Sequence, residues 1–357
     1  MTVQVTAGTG TLPAGLDAYF AERAEAVDRG TADVLDGLRW LADHGLLAHP
    51  DLAVSCAVIE HVARHCLASA FSTWAHTMVT EYLSLSSSAL LQAEVPGLRR
   101  AERIGSTAMA PAMQHLVGLA DLGVEFRHDQ GALVVDGVVR WASNLFADGF
   151  LVVVGAASPD GSRAVLAIAS DAPGVHAGAP LDLLALGATH SSSLRFEQVR
   201  LDPAFVVSTD FEPYLRMVKP RFLLLQSSFC LGLARGALEG AEVSLERSFA
   251  SFRLEHDRLR AHLEALSRRH QQLVVELGPT PTMVAHRLEA AKIAQHAVDV
   301  ELRVAGGGGY AASSPTARRV REAAFLPIQS PTEGHLRFEL DRITAGEVPA
   351  PVAGGDR

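Results

Sequence analysis

The chain has 357 residues, 48% of them hydrophobic, with 31 Lys and Arg against 40 Asp and Glu and a formal net charge of −9. That is enough apolar material for a large core spread over roughly two or three structural regions that fold together. The acidic balance argues against nucleic acid as the main partner.

The three cysteines, Cys56, Cys66 and Cys230, form no CxxC motif and no disulfide framework, so a reducing, cytoplasmic compartment is expected. The opening MTVQVTAGTG lacks the basic and apolar regions of a signal peptide. The most apolar run, Phe222 to Ala234, contains Gln226, Ser227 and Ser228. It is too short and too polar to span a bilayer and reads as a buried helix, so no membrane partner is expected.

Residues 16–104 read as a helical domain within a region 1–104. Asp33 to His44 carries Val34, Leu35, Leu38 and Leu41 at helical spacing, followed by Leu46 and Leu47, with Gly45 at the stop. Two Ala/Leu-rich helical segments follow, over Leu52–Cys66 and Ser69–Leu91, and Pro96-Gly97 breaks the pattern. Residues 105–210 change character. Val-rich runs at Leu133–Val139, Phe150–Val154, Val165–Ile168 and Leu194–Val199 alternate with Asp-Gly, Pro-Asp-Gly and Ala-Pro-Gly turns, which predicts an antiparallel sheet.

From Pro213 the pattern is helical again, over a region 211–345. One helix is expected from Tyr214 to Phe249 and a second over Leu254–Leu277, ended by Gly278-Pro279. Thr280-Pro281 opens a third, with Thr280 as cap and Pro281 in the first turn. It places Leu288, Ala291, Ala294, Val298 and Leu302 on one face and stops at Gly306–Gly309. Ser314-Pro315 and Ser330-Pro331 open two shorter helices. The tail, 346–357, reads as disordered. There is no repeat and no low-complexity tract.

Within the strand region, Trp141-Ala142-Ser143-Asn144 occupies a strand–turn context. An indole beside a small hydroxyl suits a flavin: the ring packs flat and the hydroxyl reaches a ring nitrogen.

The order of helices, small β domain and four-helix bundle resembles the acyl-CoA dehydrogenase family over nearly the whole chain. The landmarks come in order. GSTAMAPAM, which contains Met109 and Ala110, is similar to the family's strand and loop covering the dimethylbenzene side of the flavin. LVVDGVVRWASN resembles the "NG-x-K-x-W-I-T-N" strand pair, LRFEQVRLDP the "F-E-D-V-x-V-P" exit from the β domain, and LGLARGALEGA the first bundle helix. VAGGGGY resembles the "GG-x-G-[YF]" turn after the third bundle helix. The resemblance implies an α+β fold with an N-terminal helical domain, a central antiparallel sheet and a C-terminal four-helix bundle.

It also implies bound FAD and a homodimer or homotetramer. On the matching positions, Trp141 and Ala142 would lie by the flavin ring, and Ser143 would replace the usual hydrogen-bonding Thr. Arg247 in ERSF would reach the diphosphate of a neighbouring subunit. Gly306 and Gly307 would let backbone approach the diphosphate. Thr332 would lie near the adenosine phosphates, beside Ser330 of the catalytic segment.

The departures concern the chemistry. Dehydrogenation needs a carboxylate base for the α-proton. The family's "Y-E-G-T" is here Gln329-Ser330-Pro331-Thr332, so Ser330 occupies the base position. The alternative site of the base, on the first bundle helix, falls near Phe222, which is not acidic. The "T-E-P-x-x-G-S" loop is reduced to Ala110-Pro111-Ala112-Met113, and the Arg common before the family's "S-S-T" segment is missing from LGATHSSS.

Other readings of these residues compete. Ser330-Pro331-Thr332-Glu333 is also a capping box. Glu333 is a displaced candidate base, about 5 Å away for one turn of helix. His190 and His335 are candidate polar groups. His61 and His65 share a helix face at i, i+4, but no third metal ligand is evident, so no metal is expected. Arg318, Arg319 and Arg321 read as a solvated helix face. The Gly306–Gly309 run follows a helix and is not a dinucleotide loop. P-loop and nucleophile-elbow patterns are absent.

Three functions follow. The first is FAD-dependent redox chemistry on an acyl thioester, such as acyl-CoA, or a similar small carbon chain, with the catalytic residue unassigned. The second is flavin-dependent monooxygenation, which needs no α-proton base. The third is a non-catalytic member that has lost flavin.

Overall fold

The computed structural model describes residues 12–245 and 250–346. It begins with helices α1 (Leu16–Asp28), α2 (Val34–Asp43), α3 (Leu52–His65), α4 (Leu67–Ser84) and α5 (Ala89–Arg99). Strand β1 (Ile104–Ala108) and the short helix α6 (Ala110–Leu116) lead into β2 (Val124–Asp129), β3 (Ala132–Ala142), β4 (Phe150–Ala157), β5 (Arg163–Ala169), β6 (Val175–Ala177), β7 (Ser192–Leu201) and β8 (Val206–Ser208). Helices α7 (Phe211–Leu245), α8 (Arg253–Val275), α9 (Thr280–Tyr310), α10 (Pro315–Ala323) and α11 (Glu333–Thr344) follow. The fold class is the one expected: N-terminal helices, a central mostly antiparallel sheet and C-terminal helices.

Local chemistry accounts for most boundaries. Asp33 accepts the N–H of Leu35 at 2.9 Å and starts α2, and Gly45 ends that turn with φ +67°. Ser314 accepts the N–H of Ala317 at 2.9 Å and starts α10.

Several boundaries differ from expectation. The helix expected over Ser69–Leu91 is two, α4 ending at Ser84 and α5 starting at Ala89. Helix α5 runs through Pro96, because Leu91, Val95 and Leu98 bury one face on both sides of it and only one intrahelical donor is lost. Helix α9 is preceded by Pro279 as its cap residue, so Thr280 is its first residue. Helix α11 starts at Glu333, not at Ser330: Thr332 Oγ1 accepts the N–H of His335 at 3.2 Å and serves as the cap. The expected helix end at Phe249 and the disordered tail beyond Gly346 lie outside the described residues.

By compactness the described residues gather into two units. One comprises 12–74, 183–188 and 220–336; the other 75–182, 189–219 and 337–346.

The second unit holds the sheet, in the order β6-β7-β3-β2-β4-β5-β8, with β1 also paired to β4. Two pairings depart from an all-antiparallel sheet: β1 runs parallel to β4 from Ile104↔Phe150 to Ala108↔Val154, and β2 meets β4 in parallel at Glu125↔Ala157. Strand β4 is central and buried along nearly its whole length, which explains its uninterrupted apolar run. Strand β7 alternates buried and exposed residues, with Leu194, Phe196, Val199 and Leu201 facing the core.

The first unit is a helix assembly whose closest backbone approach is built on glycine. A Cβ on Gly232 would sit 2.1 Å from Glu60 O, and one on Gly236 would sit 2.2 Å from Arg64 O. These residues, four apart, form a groove on α7 that admits the backbone of α3. The apolar stretches of α7 and α9 are buried within the chain itself, including Leu223, Leu225, Phe229, Ala294 and Val298.

The basic run on α10 is a second correction. Arg318 and Arg319 are buried, and Arg319 Nε donates to Glu301 at 2.7 Å. Arg321 forms a two-point pair with Asp28, at 2.7 and 2.6 Å. Carboxylates distant in sequence supply the partners, which a local reading of charge cannot reveal.

Candidate functional site

The expected cofactor-facing residues of the sheet unit lie at the end of β3. A register shift against β7 between Val139 and Ala142 turns both Arg140 and Trp141 outward, and Ala142 then returns to the core. Trp141 is 59% exposed. It is therefore not core, and its indole is available to pack against something flat.

Beyond β3, Asn144 takes a left-handed conformation with φ +63°, tolerated by asparagine. Its N–H donates to Thr189 O at 2.8 Å and its amide to Gly105 O at 3.0 Å. Ser106 Oγ donates to Ser143 O at 2.7 Å. These bonds tie the 143–144 turn to β1.

Strand β1 is itself pinned by His76. Nδ1 accepts the N–H of Gly105 at 2.9 Å, and Nε2 lies 3.0 Å from Leu98 O and donates to it. Burial pushes this imidazole down to about 4, so it is neutral with the tautomer those two bonds require. Met109, fully buried, immediately precedes α6, and Ala110 is its first residue. The loop expected at Ala110–Met113 is thus part of a short helix.

The Ser143 hydroxyl has a partner that the sequence reading did not single out. Ser143 Oγ is 2.7 Å from Ser191 Oγ, which is 2.8 Å from Thr189 Oγ1. His190 lies between these two residues in sequence, with φ +47° and its ring 4.9 Å from that of Phe146.

In the helical unit, α9 is broken at Gly306, where φ is +59° and ψ −145°. The turn continues to Tyr310 instead of stopping at the glycines. Added Cβ atoms at Gly306, Gly307 and Gly308 would meet nothing within 4 Å, so this is bare, exposed backbone. Arg247 lies outside the described residues.

The Ser330 segment has neutral and cationic surroundings. The Ser330 carbonyl accepts from Gln226 Nε2 at 2.8 Å and from Gln329 Nε2 at 2.7 Å. The oxygens of the same two amides accept from Arg287, at 3.3 and 3.1 Å. Arg287 is 1% exposed, and its remaining hydrogen-bond acceptor is Leu326 O at 3.3 Å. None of these partners is a carboxylate. Ser330 Oγ is buried and has no partner among the described residues. Thr332 is occupied as a cap, and Glu333 donates its N–H to Pro327 O at 2.9 Å. Phe222 is buried edge-on against Trp74, with ring centroids 5.0 Å apart, and His335 is buried in α11.

His61 and His65 do converge on a third group. Both lie against Asp17 Oδ1, at 3.2 and 3.0 Å. Hydrogen bonds from the imidazoles hold the Asp17 carboxyl below its usual range against the opposing effect of burial. Among the described residues no group of three such side chains is arranged to hold a metal.

With the geometry in hand, the fold is identified as that of the acyl-CoA dehydrogenases. Glutaryl-coenzyme A dehydrogenase in its glutaryl-CoA complex superposes with a TM-score of 0.82 at 16% identity, covering 96% of this chain and 96% of that one. A glutaryl-CoA dehydrogenase from Mycobacterium smegmatis in complex with FADH2 gives 0.79 at 14% identity, over 94% and 92%. Nitroalkane oxidase crystallised with 1-nitrohexane gives 0.80 at 16%, over 94% and 95%. No protein-family model matches the sequence.

Proposed function

We propose that this chain is an FAD-dependent oxidoreductase acting on an acyl thioester or a similar small carbon chain. The observation that carries the cofactor is the break in α9: three consecutive glycines present backbone that no side chain shields, which fits close approach of a diphosphate. The exposed Trp141 ring and the hydroxyl of Ser143 fit the flat face and a polar edge atom of the isoalloxazine. Bound FAD would accept the electrons taken from substrate. The protein would orient it through Trp141 and Ser143, hold its diphosphate at Gly306–Gly308, and bring Arg247 from a second copy of the chain.

The surroundings of Ser330 favour a second reading, monooxygenation. Gln226, Gln329 and Arg287 offer amide and guanidinium groups where α-proton removal would require a carboxylate.

One further point supports an assembled protein. Leu254 is 61% exposed and Tyr310 82%, which favours a homodimer or homotetramer. No helix among the described residues is long and apolar enough to cross a membrane, and a cytoplasmic location accords with three buried free thiols.

Equilibrium dialysis against FAD, followed by absorbance spectra during anaerobic addition of acyl thioesters, tests the reading. A yellow holoprotein is expected. Colourless protein that takes up no FAD overturns it and leaves a non-catalytic role. Bleaching by acyl-CoA supports dehydrogenation. Oxygen uptake without bleaching, on supplying reduced flavin and an organic substrate, supports oxygen transfer.

A further inference from the structure

Three buried or half-buried hydroxyls stand in line behind β3: Thr189, Ser191 and Ser143, with successive oxygens 2.8 and 2.7 Å apart. Thr189 and Ser191 are buried, while Ser143 at the outer end is half-buried. The heavy atoms around them are fixed. Ser106 binds the Ser143 carbonyl, Asn144 binds the carbonyls of Thr189 and Gly105, and Leu145 N–H donates to His190 O at 3.3 Å. At each of the two contacts either oxygen can be the donor, and the cases differ only in the rotation of the hydroxyl protons.

Each hydroxyl carries one proton and can donate and accept at once. The line therefore has two orderings. In one, Thr189 donates to Ser191, Ser191 donates to Ser143, and Ser143 presents its own proton outward. In the other, Ser143 donates to Ser191, Ser191 donates to Thr189, and Ser143 presents a lone pair outward. They interconvert by rotation about C–O bonds. No covalent bond breaks and each oxygen keeps its proton.

We propose that Thr189, Ser191 and Ser143 form a reversible hydrogen-bond relay that lets Ser143 donate to a flavin ring nitrogen in the oxidised state and accept from the same nitrogen's N–H in the reduced state. Ser191 is then a positioning residue that sets the reduction potential. The inference rests on the flavin reading above and concerns how this chain serves both redox states. A hydroxyl fixed as a donor would serve only the oxidised state, because the reduced ring nitrogen carries a proton.

The sign of the effect follows. In Ser191→Ala, Ser143 can still donate to the oxidised ring. When it must accept from the reduced ring, its own proton has lost its inward acceptor, and an unpaired donor in a closed site is costly. The reduced state is weakened, so the potential falls.

The test is spectroelectrochemical titration of the FAD holoprotein. Ser191→Ala is expected to lower the affinity ratio of reduced to oxidised flavin about tenfold, which is about 30 mV for a two-electron couple. Ser191→Thr restores the hydroxyl and should return the potential to wild type. Ser143→Ala with Ser191→Ala should match Ser143→Ala alone, because Ser191 acts only through Ser143. Thr189→Val, which keeps the buried volume, should shift the potential in the same direction by less, and it serves where Ser191→Ala fails to fold.

Unchanged potentials in Ser191→Ala or Thr189→Val, with FAD still bound, overturn the relay and leave the flavin reading standing. Additive shifts in the double variant also overturn it. A wild type that takes up no FAD fails at the earlier step, and is recognised by its lack of colour before any potential is measured.

Discussion

His270 Nδ1 and His286 Nε2 are hydrogen-bonded at 3.0 Å inside the helical unit, one ring stacked beside the other at 5.2 Å and 11°. His270 Nε2 in turn lies 2.9 Å from Ser228 Oγ. Burial pushes His270 down to about 3 and His286 down to about 4, each imidazole or neighbouring cation adding to the effect. Arg269 and Glu289 act on His286 with opposite sign. Both rings are held neutral.

Acid should therefore weaken the fold through this pair. The unfolded imidazole titrates near 6.5, so the stabilisation is complete above that pH and is lost as pH falls towards 4 and then 3. Well below pH 6.5 the loss is about 1.4 kcal/mol per pH unit for each ring. Urea unfolding of wild type at pH 7 and pH 5, beside the double variant His270→Leu with His286→Leu, measures it. The variant should show a flatter dependence; an equal slope in both would place the acid sensitivity elsewhere.

Straight-chain acyl-CoA should bleach bound flavin slowly. Ser330 keeps its proton at neutral pH and is a poor base, and general-base catalysis ordinarily supplies about 10²–10⁴-fold. Ser330→Glu is expected to raise the bleaching rate where the thioester fits. Rapid bleaching by wild type would point to Glu333, and Glu333→Gln should then abolish it while FAD stays bound.

Gly306 should matter for cofactor beyond its effect on folding. Its Cβ position is open, so Gly306→Ala costs only the strain of a backbone, φ +59° with ψ −145°, that glycine alone adopts readily, about 1–3 kcal/mol. A side chain on this backbone should weaken FAD at least about tenfold, roughly 1.4 kcal/mol by the affinity relation. Dialysis and thermal unfolding of the same preparation separate the two effects; full FAD affinity in the variant would make the kink a helix break alone.

Gly236 should matter for folding. Alanine there would drive Cβ to 2.2 Å from Arg64 O, and backbone cannot yield as a side-chain tip can. Overpacking of this kind costs about 1–3 kcal/mol or more. Gly240→Ala is the companion case, with Cβ 2.5 Å from Glu301 Oε1 and 2.7 Å from Arg319 Nη2, and it should also disturb a buried ion pair. Denaturation midpoints check both; wild-type stability in Gly236→Ala would mean that α3 and α7 have room to part.

Local signals carried the element map. Periodicity located α2, Gly45 its end, and Val-rich runs β3, β4, β5 and β7, because each depends on neighbours in sequence. The misreadings share one cause. Arg319 looked solvated because Glu301 comes from α9, and Arg318 because the carbonyl it donates to, that of His65, comes from α3. The group that His61 and His65 share, Asp17, was out of view for the same reason, since it comes from α1. Ser330 read as a cap because Thr332, two residues on, competes for the same role. At the candidate site, Trp141 and Ser143 were legible as a pair. Ser191 was not, since only the β3–β7 pairing sets it beside Ser143.

The pair formed by Arg321 with Asp28 closes a chain separation of 293 residues. Helices α1 to α3 and the start of α4 thus belong to a unit most of whose other helical residues are encoded after residue 219. On the ribosome, that N-terminal part emerges long before its packing partners exist. The sheet unit, nearly contiguous in sequence, can fold first, while Asp28, Glu60 and Arg64 await Arg321, Arg235 and Glu239 from the later part of the polypeptide. Nascent chains arrested before α7 are the ones expected to need a chaperone.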